Sequence, residues 1–145
     1  NNNKPDLFII DLNLKLKKKL LLNNLITKRK TFIVTNRNNK KKIPIYKKLG
    51  YKIIFVNRLK NKKDFKLLSN KIYKKGYSRV LIESGLTFLN FLLNFHLINV
   101  LYIFKSNNKL SKNGKNNDTT ANLKKISTKF KKINLNGDKL LKKEF

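Results

Sequence analysis

The chain has 145 residues, 40% apolar and 10% aromatic, which suits one folded domain with a real core and not a disordered segment. It has no cysteine, so disulfides, zinc–thiolate sites and thiol catalysis are excluded, and no apolar run approaches the roughly 18–20 residues of a membrane span. The formal charge is +29, from 36 Lys and Arg against 7 Asp and Glu.

From the N-terminus, Asn1-Asn2-Asn3-Lys4-Pro5 does not form a signal peptide. The absence of a starting Met makes a piece of a longer, cytoplasmic chain the expectation. LFIIDL, 7 to 12, reads as a strand. Lys15 to Asn24 mixes Lys and Leu without a clear period, so an irregular stretch or a short helix is expected. TFIVT, 31 to 35, is a predicted strand, and Asn36 to Lys42 a polar loop. IPIYKKL, 43 to 49, suits a short helix with Pro44 in its first turn and Gly50 as its C-terminal cap. KIIFV, 52 to 56, is a predicted strand. Phe65, Leu68, Ile72 and Tyr73 recur at helical spacing between Asp64 and Gly76, which predicts a helix over 64–75.

RVLIE, 79 to 83, reads as a further strand, Leu86 to Phe95 as a helix apolar nearly all round and therefore buried, and VLYIF, 100 to 104, as a strand. Residues 105 to 122 read as a long polar loop. KFKKINL and DKLLKKEF flank Asn136-Gly137, a short hairpin signal. Strands alternating with helices predict right-handed crossovers, so the expected fold is α/β, a mostly parallel sheet flanked by helices and finished by a C-terminal antiparallel hairpin. A single domain over 1–145 is expected, with no internal repeat.

Two readings compete for the charge. Basic residues supply phosphate affinity, which points to nucleic acid. Yet the chain is crowded with Lys, Asn, Ile, Leu, Phe and Tyr, contains Ala121 as its single alanine, and lacks Trp and Met. Those favoured residues share A/T-rich codons, and the lysines are spread along the chain. Compositional bias is the preferred reading, and nucleic acid is not the expected partner. Either way the field attracts small anions.

Glu83 is the single carboxylate between Asp64 and Asp118, and Ser84-Gly85 follows it at the expected end of a strand. In open α/β sheets ligands bind beyond such ends. A glycine lets the backbone approach a ligand, and the first-turn N–H groups after it favour phosphate. Thr87 adds a hydroxyl. The plain alternative is a tight turn with Ser84 or Thr87 as the helix N-cap and Glu83 as a solvated strand end. His96, the sole histidine, follows the helix where a C-terminal cap falls, and a capping or packing role is expected of it. No second acid or histidine stands near enough to suggest a metal site or triad.

VLIESGLTFLNFLL followed by LINVLYIF resembles the reductase domain of riboflavin biosynthesis. In that family a strand ends in a Glu-Gly-Gly type turn, followed by Thr-Leu, a Leu-Leu helix, a Gly-containing link and a strand ending in Tyr or Phe. FIIDL, TFIVT, KIIFV and the 64–75 helix follow the family's order, and NGDKLL resembles its closing hairpin. The resemblance implies a dihydrofolate-reductase-like fold and an enzyme that reduces the ribosyl group of 5-amino-6-(5-phosphoribosylamino)uracil to ribityl with NADPH. The domain is often the C-terminal half of a bifunctional protein that begins with a zinc deaminase, and a homodimer is implied. The resemblance makes Glu83 a substrate-binding residue, and Gly85, Leu86, Thr87, Phe88, Leu89, Asn90 and Phe91 the cofactor-binding turn and helix. The departures are Ser84 for the first Gly of the pair, Leu86 for a common Pro, His96 for the link's Gly, Asn99-Val100 for its Asp-Glu, and Leu12 where a cofactor-contacting Ser is common. The family's first strand and its substrate-phosphate loops have no counterpart here, so the chain resembles about two thirds of that domain. The alternatives are a basic nucleic-acid-binding α/β module and a non-catalytic relative of the reductase.

Overall fold

A computed structural model describes residues 4–17, 21–106, 120–126, 130–135 and 138–145. The chain divides into two compact units, Asn1–Arg79 and Val80–Phe145.

The first unit is built on a parallel sheet of β1 (Leu7–Ile10), β2 (Thr31–Asn36) and β3 (Lys52–Val56), in that order across the sheet. Phe32 stands opposite Phe8, and Val34 opposite both Ile10 and Ile54. β2 lies in the middle, and Thr31 to Thr35 are all buried. That explains an unbroken apolar run where a one-sided strand would alternate. Phe32, Val34, Ile54 and Val56 project to one face and pack with Leu68 and Ile72 of α2 (Lys62–Tyr73). Ile33 projects to the other, with Leu14 and with Ile43 and Tyr46 of α1 (Ile43–Lys48). The period of two along a strand thus makes two cores from one sheet.

The helix ends follow local chemistry. Pro44 stands in the first turn of α1. Gly50, at φ +94°, follows the helix, and its N–H donates to Lys47 O while that of Tyr51 donates to Tyr46 O. This pair of bonds satisfies the terminal carbonyls in the Schellman pattern. α2 begins two residues earlier than its apolar spacing predicts. Asn61 is the N-cap, accepting from the Asp64 N–H at 2.9 Å. Asp64 turns back instead, accepting from the Lys60 N–H at 3.0 Å and pairing with Arg58 at 3.4 Å. The Lys60 N–H, then the Arg58 charge, hold its carboxyl below the usual value. The Lys15–Asn24 region contributes one short 3-10 turn, Leu21–Leu25.

The second unit contains α3 (Leu86–Asn94), β4 (Val100–Lys105), α4 (Ala121–Ile126), β5 (Lys131–Leu135) and β6 (Asp138–Glu144). β6 is central to an antiparallel sheet, pairing with β4 and β5. Leu135 stands opposite Asp138, the pairing a two-residue connection requires; Asn136-Gly137 itself lies outside the described residues.

Four expectations need correction. The protein is mixed α/β, but its strands form separate parallel and antiparallel three-stranded sheets, not one mostly parallel sheet. Residues 79 to 83 form no strand. Val80, Leu81 and Ile82 remain 51%, 81% and 39% exposed, because β-branched residues make a strand only when a neighbour takes up their backbone groups. α3 is not buried all round: Asn90 and Leu92 are its buried residues, and the other described positions are half-buried or exposed. Further on, Ala121–Ile126 is helical where residues to 122 read as loop; the loop's middle, 107–119, lies outside the described residues.

Candidate functional site

Gly85 is the N-cap of α3, extended at φ −73° and ψ 171°, with no side-chain capping bond. Neither Ser84 nor Thr87 caps the helix. Any residue tolerates that conformation, so the backbone does not demand glycine here. A Cβ added at Gly85 would meet nothing within 4 Å, so the space before the helix is open. The first closed bond of α3 runs from the Leu89 N–H to Gly85 O at 3.1 Å. The earlier N–H groups, at Leu86 and Thr87, find no acceptor among the described residues. They are the helix's orphan donors, at the positive end of its dipole.

Glu83 is exposed in the irregular segment before this turn and makes no ion pair among the described residues. Ser84, Gly85 and Thr87 are exposed, whereas Leu86, Phe88, Leu89 and Phe91 are half-buried. Glu83, Gly85, Leu86 and Thr87 thus lie together at one helix end, where a phosphate and a polyol hydroxyl could be held side by side. Phe88 stacks on Phe91 at 5.7 Å, and Phe91 meets Phe95 edge-on at 5.0 Å, so these rings are engaged in a row along the helix.

Asn90 is 5% exposed, and its Oδ1 accepts from Asn122 Nδ2 at 3.2 Å. The same Asn122 group donates to Asn94 Oδ1 at 3.1 Å. Asn90 therefore joins α3 to α4. The pairing spans 32 residues, so no local pattern announces it.

His96 closes α3 as a cap. Its φ is +53°, its N–H donates to Leu93 O at 3.1 Å, and the Leu97 N–H donates to Leu92 O at 2.9 Å. This is again the Schellman pattern, with histidine where glycine is usual. Among the described residues no group of three or more His, Cys, Asp or Glu could hold a metal ion.

The C-terminal ends of the parallel strands carry a polar rim. Asp11 accepts from the Lys15 and Leu16 N–H groups at 3.0 and 2.7 Å, folding the chain back after β1. Thr35 Oγ1 donates to Leu12 O at 3.2 Å, and Asn39 Nδ2 donates to both Leu12 O and Thr35 Oγ1. Arg37 is exposed above the Phe55 ring at 5.3 Å, an outward cation that the reading of 36–42 as a polar loop passed over. The visible signal was Asn36-Arg37-Asn38-Asn39 directly after a strand, at the end where α/β sheets take ligands.

No helix among the described residues is long and apolar enough to cross a membrane. No protein-family model matches the chain, and no curated protein matches its sequence.

Proposed function

We propose that this protein binds NADPH at the α3 N-terminus and takes part in reducing the ribosyl group of 5-amino-6-(5-phosphoribosylamino)uracil to ribityl. The observation that carries the reading is the open Glu83-Ser84-Gly85 turn, with orphan N–H groups at Leu86 and Thr87 and free space at Gly85. The donor set fits a phosphate: backbone N–H groups in a first helical turn, a nearby hydroxyl on Thr87, and no side chain in the way. The chain order β1, β2, β3, α2, α3 is the one the family resemblance requires, while residues 79 to 83 form no strand and β4 belongs to the antiparallel sheet.

NADPH, when bound, supplies the hydride. The chain's own residues bind and orient. Gly85, Leu86 and Thr87 would fix the cofactor's phosphate. Glu83, acceptor-only when ionised, would take hydrogen bonds from the sugar hydroxyls. Phe88, Leu89 and Phe91 would support the helix that presents the turn, and Asn90 would act through α4 rather than on the cofactor. The family resemblance implies a homodimer, a cytoplasmic setting and a phosphorylated pyrimidine substrate, and these stand as parts of the same proposal.

The test is NADPH titration, followed by fluorescence at low and high salt, on the wild-type chain and on Gly85→Val. Saturable binding that persists in salt and disappears in the variant is expected. Binding that vanishes with salt and ignores Gly85→Val refutes the site, because non-specific attraction to a +29 chain behaves that way.

A further inference from the structure

At the N-terminal ends of β1, β2 and β3 lies a cleft of about 670 Å³, within the size range of small-ligand sites. Its walls include Lys4, Lys28, Arg29, Lys30 and Lys52, with Asp6 as the one acid among its lining residues. Five cations against one carboxylate leave a local charge of +4.

Asp6 does not neutralise them directly. One of its oxygens accepts from the Lys30 backbone N–H at 3.1 Å, and the other from the Tyr77 hydroxyl. None of the five cations forms an ion pair among the described residues. Lys52 leans over the Phe32 ring at 5.7 Å, a weak contact that leaves its N–H groups able to donate. Arg29 supplies an independent observation. Its Nε is buried and has no hydrogen-bond partner among the described residues, although buried polar atoms are nearly always satisfied. Burial of Nε anchors the Arg29 side chain in the cleft wall, and its guanidinium charge is not offset by an ion pair among the described residues. Gly50 also lines the cleft, and Ile26 is the apolar member of its wall nearest that glycine's missing Cβ.

We propose that this cleft binds a compact small molecule carrying two or more linked phosphates. The cation count favours several phosphates over one. Among the described residues the lining holds no aromatic ring on which a base could stack, which argues against single-stranded nucleic acid. The cleft shares no residue with the Glu83–Phe91 turn, so it is a second anion site with its own chemistry.

The probe is inorganic tripolyphosphate, titrated calorimetrically into the full chain in about 0.15 M salt, where exposed charges more than about 8 Å apart are largely screened. Lys28→Gln with Lys52→Gln removes two exposed cleft cations, and Lys47→Gln with Lys66→Gln removes two exposed cations of the same unit outside the cleft. Thermal melting checks that both pairs fold. The tighter phase of binding is expected to weaken roughly tenfold or more in the cleft pair and less than about twofold in the remote pair, because charge-assisted contacts to phosphate are local. Gly85→Val should leave this tighter phase in place. Equal weakening in both pairs overturns the proposal in favour of a diffuse field. Loss in Gly85→Val overturns it by placing the anion on α3. An oligothymidylate that binds in a cleft-dependent way while tripolyphosphate does not overturns it in favour of nucleic acid.

Discussion

Gly50→Ala isolates two separable costs that can be worked from the structure. Gly50 sits at φ +94°, where an L side chain is strained, and an added Cβ would lie 2.8 Å from Ile26 Cγ2. Left-handed backbone costs a non-glycine residue about 1–2 kcal/mol. The contact adds an overpacking cost of about 1–3 kcal/mol. It is not cheaply relieved, because Ile26 is β-branched, stiff at χ1, and packed against the core that holds Leu14, Ile33, Tyr46 and Tyr51. The sum is roughly 2–5 kcal/mol. Two other glycines calibrate it. Gly76 has φ +92° but nothing within 4 Å, so Gly76→Ala should show the backbone cost alone, about 1–2 kcal/mol. Gly85 has neither problem, so Gly85→Ala should fall within about 0.5 kcal/mol of wild type. Urea unfolding reads the series. With a slope of about 1 kcal/mol per M, Gly50→Ala should lower the midpoint by about 2 M or more. Equal midpoints for Gly50→Ala and Gly76→Ala would refute the contact argument. A Gly50→Ala midpoint matching wild type would refute the strained cap as well.

Tyr46→Phe should destabilise by about 1–2 kcal/mol in urea unfolding, because it removes a donor that reaches Leu16 O at 2.7 Å from a ring only 4% exposed. Burial, and then the Asp11 charge, raise the Tyr46 hydroxyl pKa. Its contribution is therefore fully present below about pH 10 and lost as pH rises through the higher folded value, so the alkaline limb of the pH–stability profile should be flatter in Tyr46→Phe than in wild type. Asp64 has the opposite sign. Its lowered folded value gives stability that is present above about pH 4 and lost as pH falls through that value, so Asp64→Asn should flatten the acid limb of a pH–stability profile. His96→Gly should raise the melting temperature, with a gain of roughly 0.5–1 kcal/mol, because it relieves a φ of +53° at an exposed cap without breaking either capping bond. A fall in stability there would mean that the histidine side chain itself holds the α3 terminus.

Local chemistry was legible wherever the cause was local. β-branched runs marked β1, β2 and β3, and Pro44 and Gly50 marked the ends of α1. The turn at Gly85 was placed at the start of α3, and His96 at its cap. Boundaries were less legible where two side chains compete for one role. The apolar spacing starts α2 at Asp64, but Asn61, three residues earlier, accepts the capping bond and Asp64 supports the preceding loop. Of the candidate site, Glu83 and Gly85 to Thr87 lie together at the helix end as expected of neighbours in sequence. The bond from Asn122 to Asn90 was not legible, since it depends on a helix that composition hid inside a polar stretch.

The sequence by itself determined which segments are apolar enough to be strands, where helices stop, and which residues carry the positive charge. Tertiary structure alone decided which strands acquired partners. The apolar segment Val80–Ile82 is as strand-like as β3 in composition, yet β3 has β2 beside it and Val80–Ile82 has no ladder. Tertiary structure also brought Tyr77 onto Asp6, 71 residues away, and gathered Lys4, Lys28, Arg29, Lys30 and Lys52 around one cleft. The physical reason is range: caps and turns are satisfied by bonds within a few residues, whereas a sheet edge, a buried polar pair or a charge cluster exists only once distant backbone has been brought together.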